Sequence, residues 1–99
     1  MSERKVGLVA KALIDAKARI ADPENWWDGR SRIGNRRCAQ SAIVGHGMLN
    51  GAWDALKTSS RLLFDRPLPR QVNDDPNLGH SAVMQLYDHA ISRALSEGK

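Results

Sequence analysis

Cys38 carries the most nucleophilic side chain in this sequence and is its one cysteine. It is expected in the first turn of a helix that starts at Arg36, capped by Asn35, with Arg36 and Arg37 beside it. Positive charge and a helix N-terminus both favour a reactive thiolate. A thiol catalyst also needs a base within hydrogen-bond reach. Along a continuous helix His46 would lie about 12 Å away, too far unless the chain breaks at Gly45. His80, expected at another helix start, is the better base, with Asp74 as its orienter. Against this stands a simpler reading, in which Cys38 packs on the first helix as a small apolar group. The simpler reading is preferred, so no catalytic residue is assigned and Cys38 and His80 stay as candidates.

Metal chemistry finds less support. His46, His80, His89 and Cys38 occur singly, with neither a Cys-x-x-Cys pair nor two histidines at i and i+4. Asp74-Asp75 lacks the spaced acids of a calcium loop. No metal and no cofactor is expected.

Electrostatics are more informative. The chain has 99 residues, 15 Lys+Arg against 11 Asp+Glu, and a net charge of +4. Arg30, Arg32, Arg36 and Arg37 fall in one stretch without an acid and account for the whole excess. Beside Trp26 and Trp27 they combine charge with stacking surface, as single-stranded nucleic acid requires. Arginine and tryptophan also dominate protein–protein hot spots. Zinc-finger spacing, a recognition helix and an RNA-binding sheet motif are all missing. A protein partner is therefore the first reading for Trp27, Arg30, Arg32, Arg36 and Arg37, and nucleic acid or a nucleotide the second. Adjacent residues point in different directions, so Trp26 and Trp27 cannot easily bury together. Trp27 is expected exposed, while Trp26 and Trp53 are expected to plug the core.

The elements that must position these residues are helical. Val6, Val9, Leu13, Ala16 and Ile20 recur at helical spacing, with Lys11, Asp15 and Arg19 on the other side. This helix should stop near Asp22-Pro23, where Asp22 can cap a new turn with Pro23 at its first position. Cys38, Ala39, Ala42, Ile43 and Leu49 supply the apolar side of a second helix, which Gly45-His46-Gly47 should end or kink. Trp53, Leu56, Leu63 and Phe64 mark a third, interrupted at Thr58, Ser59 and Ser60. Asp65 to Gly79, with three prolines, reads as an irregular loop. A last helix from about His80 to Leu95 carries Val83, Leu86, Tyr87, Ala90, Ile91 and Ala94 on its core side. The fold class is all-α: a small single-domain bundle of four to five helices with two long loops, spanning 1–99 and frayed at 1–4 and 97–99. No apolar run approaches a membrane span of roughly 18 residues, and no secretory signal opens the chain. A cytoplasmic location is expected, and pairing into a homodimer through the first or last helix is left open.

Several blocks recur together. Ala21-Asp22-Pro23-Glu24-Asn25-Trp26, then Cys38-Ala39 and Ala42-Ile43, then Val72-Asn73-Asp74 ahead of His80 and Val83, and finally Asp88 with Ala90-Ile91 cover most of residues 6–94. In these the chain resembles a family of small, uncharacterised bacterial and phage proteins. The resemblance implies one small helical domain from a bacterium or its mobile elements, and it brings no reaction or ligand. Trp27, the Arg30 to Arg37 stretch and Gly45-His46-Gly47 lie outside the shared pattern. The polar residues inside it, Glu24, Asn25, Asn73, Asp74 and His80, would converge as a small polar pocket or as a hydrogen-bonded lock between two loops. The lock is favoured, because buried polar groups usually satisfy loop backbone. Together these readings give a small non-enzymatic interaction module, regulatory or inhibitory toward a larger complex.

Overall fold

Small and branched apolar residues at helical spacing build the first element, α1, over Leu8–Ile20. In the computed structural model, which describes residues 7–27, 38–39, 42–43 and 51–99, Ala10, Leu13, Ala16 and Ile20 are its buried side. Val6 and the expected fraying at 1–4 lie outside those residues. Gly7 precedes α1 in extended backbone and offers no side-chain cap. The Ala10 N–H instead donates to the Lys99 main-chain oxygen at 3.0 Å, and Lys99 N–H donates to the Ala94 carbonyl at 2.8 Å. A Cβ on Gly7 would fall 2.1 Å from the Lys99 carbonyl carbon, so the close approach requires glycine there. Residues 97–99, expected to fray, are thus hydrogen-bonded to two helices.

After α1, Asp22 adopts extended backbone and its carboxylate accepts from the Glu24 N–H at 3.0 Å. Pro23, Glu24 and Asn25 follow as a single 3₁₀ turn. Of the second expected helix, Cys38, Ala39, Ala42 and Ile43 are described. Ala39, Ala42 and Ile43 are buried, and the Ala42 N–H donates to the Cys38 carbonyl at 3.1 Å, one α-type turn. Arg30 to Arg37 and Gly45-His46-Gly47 lie outside the described residues.

Helix α2 spans Ala52–Phe64 without a break, which corrects the interruption expected at Thr58–Ser60. Such hydroxyls can bond local backbone in place of the helix ladder, but here Ser59 and Ser60 bond groups outside the helix, and Thr58 only bonds back one turn along it. Thr58 donates to the Asp54 carbonyl at 3.0 Å, Ser60 to the Arg66 carbonyl at 2.9 Å, and Ser59 pairs with His89 Nδ1 at 2.8 Å. Ser59 and Ser60 are fully buried. Leu63, one of the residues that marked this helix, is partly exposed at its end.

Asp65 ends α2 in the left-handed region, at φ 55°, with its N–H on the Arg61 carbonyl at 3.1 Å. Glycine reaches this conformation without the Cβ clash that an L-residue meets. Asp65→Gly should therefore raise stability by about 0.5 kcal/mol, read as a higher urea midpoint with an unchanged slope.

The 65–79 segment is more regular than its prolines suggested. Pro69 starts α3, Pro69–Asn73, at a first-turn position where a missing N–H costs nothing. Gln71 Oε1 accepts from the Leu68 N–H at 3.1 Å and anchors that start. Asp75 Oδ1 then accepts from the Asn77 N–H at 2.8 Å, an Asx turn, while its other oxygen meets Arg66 at 2.9 Å.

Helix α4, Gly79–Ser96, is the central post against which α1, α2 and α3 pack. Its buried side is Ala82, Val83, Leu86, Tyr87, Ala90 and Ala94. Alanines at 82, 90 and 94 face a core that also takes Ala10 and Ala16, so the helices approach closely. The result is a small all-α bundle, with four α-helices among the described residues. None of them is long and apolar enough to cross a membrane.

Candidate functional site

Asn73, the last residue of α3, is buried with 1% of its surface exposed. Its side chain makes four hydrogen bonds. Oδ1 accepts from Trp26 Nε1 at 2.6 Å and from the Ala39 N–H at 2.8 Å. Nδ2 donates to the Trp27 carbonyl at 2.8 Å and to Asp74 Oδ1 at 2.9 Å. Two partners are donors only and two are acceptors, so the amide can face just one way. Neither a carboxylate nor an apolar side chain of similar size could satisfy all four.

Ala39 is held from both sides. While Asn73 takes its N–H, Tyr87 Oη donates to its carbonyl at 2.5 Å. Tyr87 is fully buried on α4. Burial drives the phenol well above the ordinary tyrosine range, the neighbouring Cys38 thiol adds to the rise, and Arg19 partly opposes it. The hydroxyl is thus a fixed donor. Arg19 itself donates to the Ala42 carbonyl at 2.9 Å, another tie from α1 to the same segment.

His80, in the first turn of α4, reaches back to α1. Its Nε2 lies 2.7 Å from the Ile20 carbonyl. A carbonyl only accepts, so Nε2 carries the proton. The carbonyl belongs to the last turn of α1, where no helix partner remains for it. The imidazole also lies against Trp26, centroids 5.4 Å apart and planes tilted by 60°. Trp26 is therefore gripped at its indole N–H by Asn73 and along its ring by His80.

Of the five polar residues expected to converge, Asn73 and His80 both engage Trp26, and Asp74 joins them through the Asn73 amide. Glu24 and Asn25 are exposed in the 3₁₀ turn. Backbone bonds from both to Asp22 shape that turn. Trp27, expected exposed, is half-buried, and its carbonyl accepts from Asn73. Trp26 and Trp53 pack against the core as partly buried residues. Cys38 is half-buried as well, its carbonyl engaged by Ala42. Asp74 receives the Asn73 amide and faces Arg70 Nε at 3.5 Å. Arg30, Arg32, Arg36, Arg37 and His46 lie outside the described residues. No group of three or more metal-ligating side chains occurs among the described residues.

Sequence reasoning named Asn73 and His80 but missed Trp26 as a donor and Ala39 and Tyr87 as partners. Tyr87 carried one usable signal. A tyrosine on the core stripe of a helix must find an acceptor for its hydroxyl.

No family model matches this chain, and no curated protein or solved structure was found to be similar to it.

Proposed function

We propose that this chain is a small non-enzymatic interaction module that binds a macromolecular partner, in first place a protein, through the segment from Trp27 to Arg37. One observation carries the reading: a single buried amide holds both flanks of that segment, through the Trp27 carbonyl on one side and the Ala39 N–H on the other. Eleven residues, 28–38, lie between the flanks and include all four clustered arginines. Fixing the ends of a binding segment removes part of the ordering cost that association otherwise carries. Arginine and tryptophan are the side chains that most often supply hot-spot energy. A bacterial or phage origin, a cytoplasmic location and a regulatory or inhibitory role against a larger host complex complete the proposal, the role by analogy alone.

A second reading uses the same arginines on nucleic acid, favoured by a stretch with four positive charges and no acid. The two separate in one experiment. Tagged protein is incubated with lysate of the source organism, with and without nuclease, beside an Arg36→Ala/Arg37→Ala variant. The proposal expects a protein partner that survives nuclease and is lost at least about tenfold in the variant, at unchanged melting temperature. Recovery abolished by nuclease, with affinity falling steeply in salt, would establish the nucleic-acid reading instead. Capture untouched by the double substitution would refute both.

A further inference from the structure

The C-terminal end of α2 leaves large apolar side chains in water. Leu62 is 62% exposed, Leu63 42% and Leu68 43%. They sit on either side of the left-handed Asp65 turn, and that turn is well fixed. The Arg66 N–H donates to the Ser60 carbonyl at 3.3 Å, Ser60 donates back to the Arg66 carbonyl at 2.9 Å, and Arg66 pairs with Asp75 at 2.9 Å. The chain is thereby folded back beside the last turn of α2, with Pro67-Leu68 following directly.

Two charges flank Leu62, and both are unused. Arg61 and Asp65 are exposed, and neither side chain has an ion-pair or hydrogen-bond partner among the described residues. Every other acid on α2 and α3 and in the turns beside them is paired: Asp54 with Lys57, Asp74 with Arg70, Asp75 with Arg66. Arg61 and Asp65 are four positions apart but do not meet, since Asp65 has left the helical path. An apolar centre flanked by one cation and one anion is complementary to itself. A two-fold axis through Leu62 would set Arg61 against the partner's Asp65 and Asp65 against the partner's Arg61, because an isologous interface repeats each contact in reverse.

We infer that this surface, formed by Arg61, Leu62, Leu63, Asp65 and Leu68, is the contact through which a second copy of the chain docks, as a weak and reversible two-fold dimer. Weakness follows from size. A stable interface buries about 800 Å² per partner, more than three partly exposed leucines and two charges can supply. Dissociation is expected in the range of tens of micromolar or above, on the order of the weak interfaces of this class. This surface belongs to α2 and the following turn, separate from the Trp27 to Arg37 segment, so it stands or falls independently of the partner-binding proposal.

Sedimentation equilibrium of the full chain across a concentration series tests it. The expected result is a monomer–dimer equilibrium that Leu62→Glu weakens at least about tenfold by placing charge at the apolar centre. Asp65→Gly guards against mistaking misfolding for lost contact. It should raise fold stability yet weaken association several-fold, and only an interfacial carboxylate gives both. A chain that stays monomeric up to millimolar concentration would overturn the inference. So would a dimer indifferent to both substitutions.

Discussion

Asn73→Asp is expected to destabilise the fold by about 3–5 kcal/mol, a large share of the 5–15 kcal/mol that holds a domain together. The substitution changes one atom type. Where Nδ2 donated, an oxygen would now face the Trp27 carbonyl and Asp74 Oδ1, at positions 2.8 and 2.9 Å from the present nitrogen. Both contacts turn repulsive, and a charge is left in a buried site. The loss should depend on pH. Because the buried site disfavours the ionised form, the introduced carboxyl has a folded-state pKa above its unfolded value of about 3.9. At neutral pH the unfolded chain therefore gains by ionising, and the penalty is full. As pH falls toward 4 that gain disappears and the gap to the parent protein narrows. Urea denaturation of both proteins at neutral and mildly acidic pH reads this directly. An equal deficit at both values would mean that the amide hydrogens are not the groups that matter.

Tyr87 carries the second large effect. Tyr87→Phe keeps the ring but strands the Ala39 carbonyl, whose one described side-chain donor is the phenol at 2.5 Å. That should cost about 1–3 kcal/mol, while Tyr87→Ala adds a cavity and should cost about 3–5 kcal/mol. Alkaline pH should reproduce part of the first effect in the parent protein. The buried phenol has its folded-state pKa raised above the unfolded value of about 10. The unfolded chain then releases a proton that the folded chain keeps, so stability falls as pH rises past 10, by about 1.4 kcal/mol per unit. Tyr87 is the chain's one tyrosine, so its near-ultraviolet titration reports a single group. Tyrosinate should appear together with loss of helical circular dichroism. Ionisation of a fully helical protein near pH 10 would place the phenol in water.

What the sequence revealed and what it hid divide by the range of the interaction. The stripe Val83, Leu86, Tyr87, Ala90, Ile91, Ala94 needed only helical spacing to be read, and all of it but the partly buried Ile91 forms the buried side of α4. The Asp22-Pro23 turn was legible because cap and proline act on adjacent residues. Helix α3 was missed because Pro67, Pro69 and Pro76 looked like breakers, although Pro69 begins a helix rather than ending one. The continuity of α2 through Ser59 and Ser60 depends on His89 and Arg66, which supply bonds from outside the helix. At the site, Asn73 was expected in a lock between two loops. Its partners Trp26 and Ala39 lie 47 and 34 positions away, and no local pattern shows which distant group a buried amide will meet. Glu24 and Asn25 shared a block with Trp26 but point into solvent, because a tight turn sends neighbouring side chains in different directions.

These bonds give the partner-binding proposal its physical basis, since one amide fixes both flanks of the arginine-bearing segment. Hydrogen exchange by NMR tests that arrangement most directly. Three tryptophans give three indole N–H signals, and the Trp26 indole and the Ala39 amide both end on Asn73 Oδ1. Both should exchange only through global unfolding, with the protection free energy of the α4 core, and both should lose it together in Asn73→Leu. Exchange of either proton at the rate of an exposed amide in the parent protein would contradict the clamp, and with it the account of how the segment is presented.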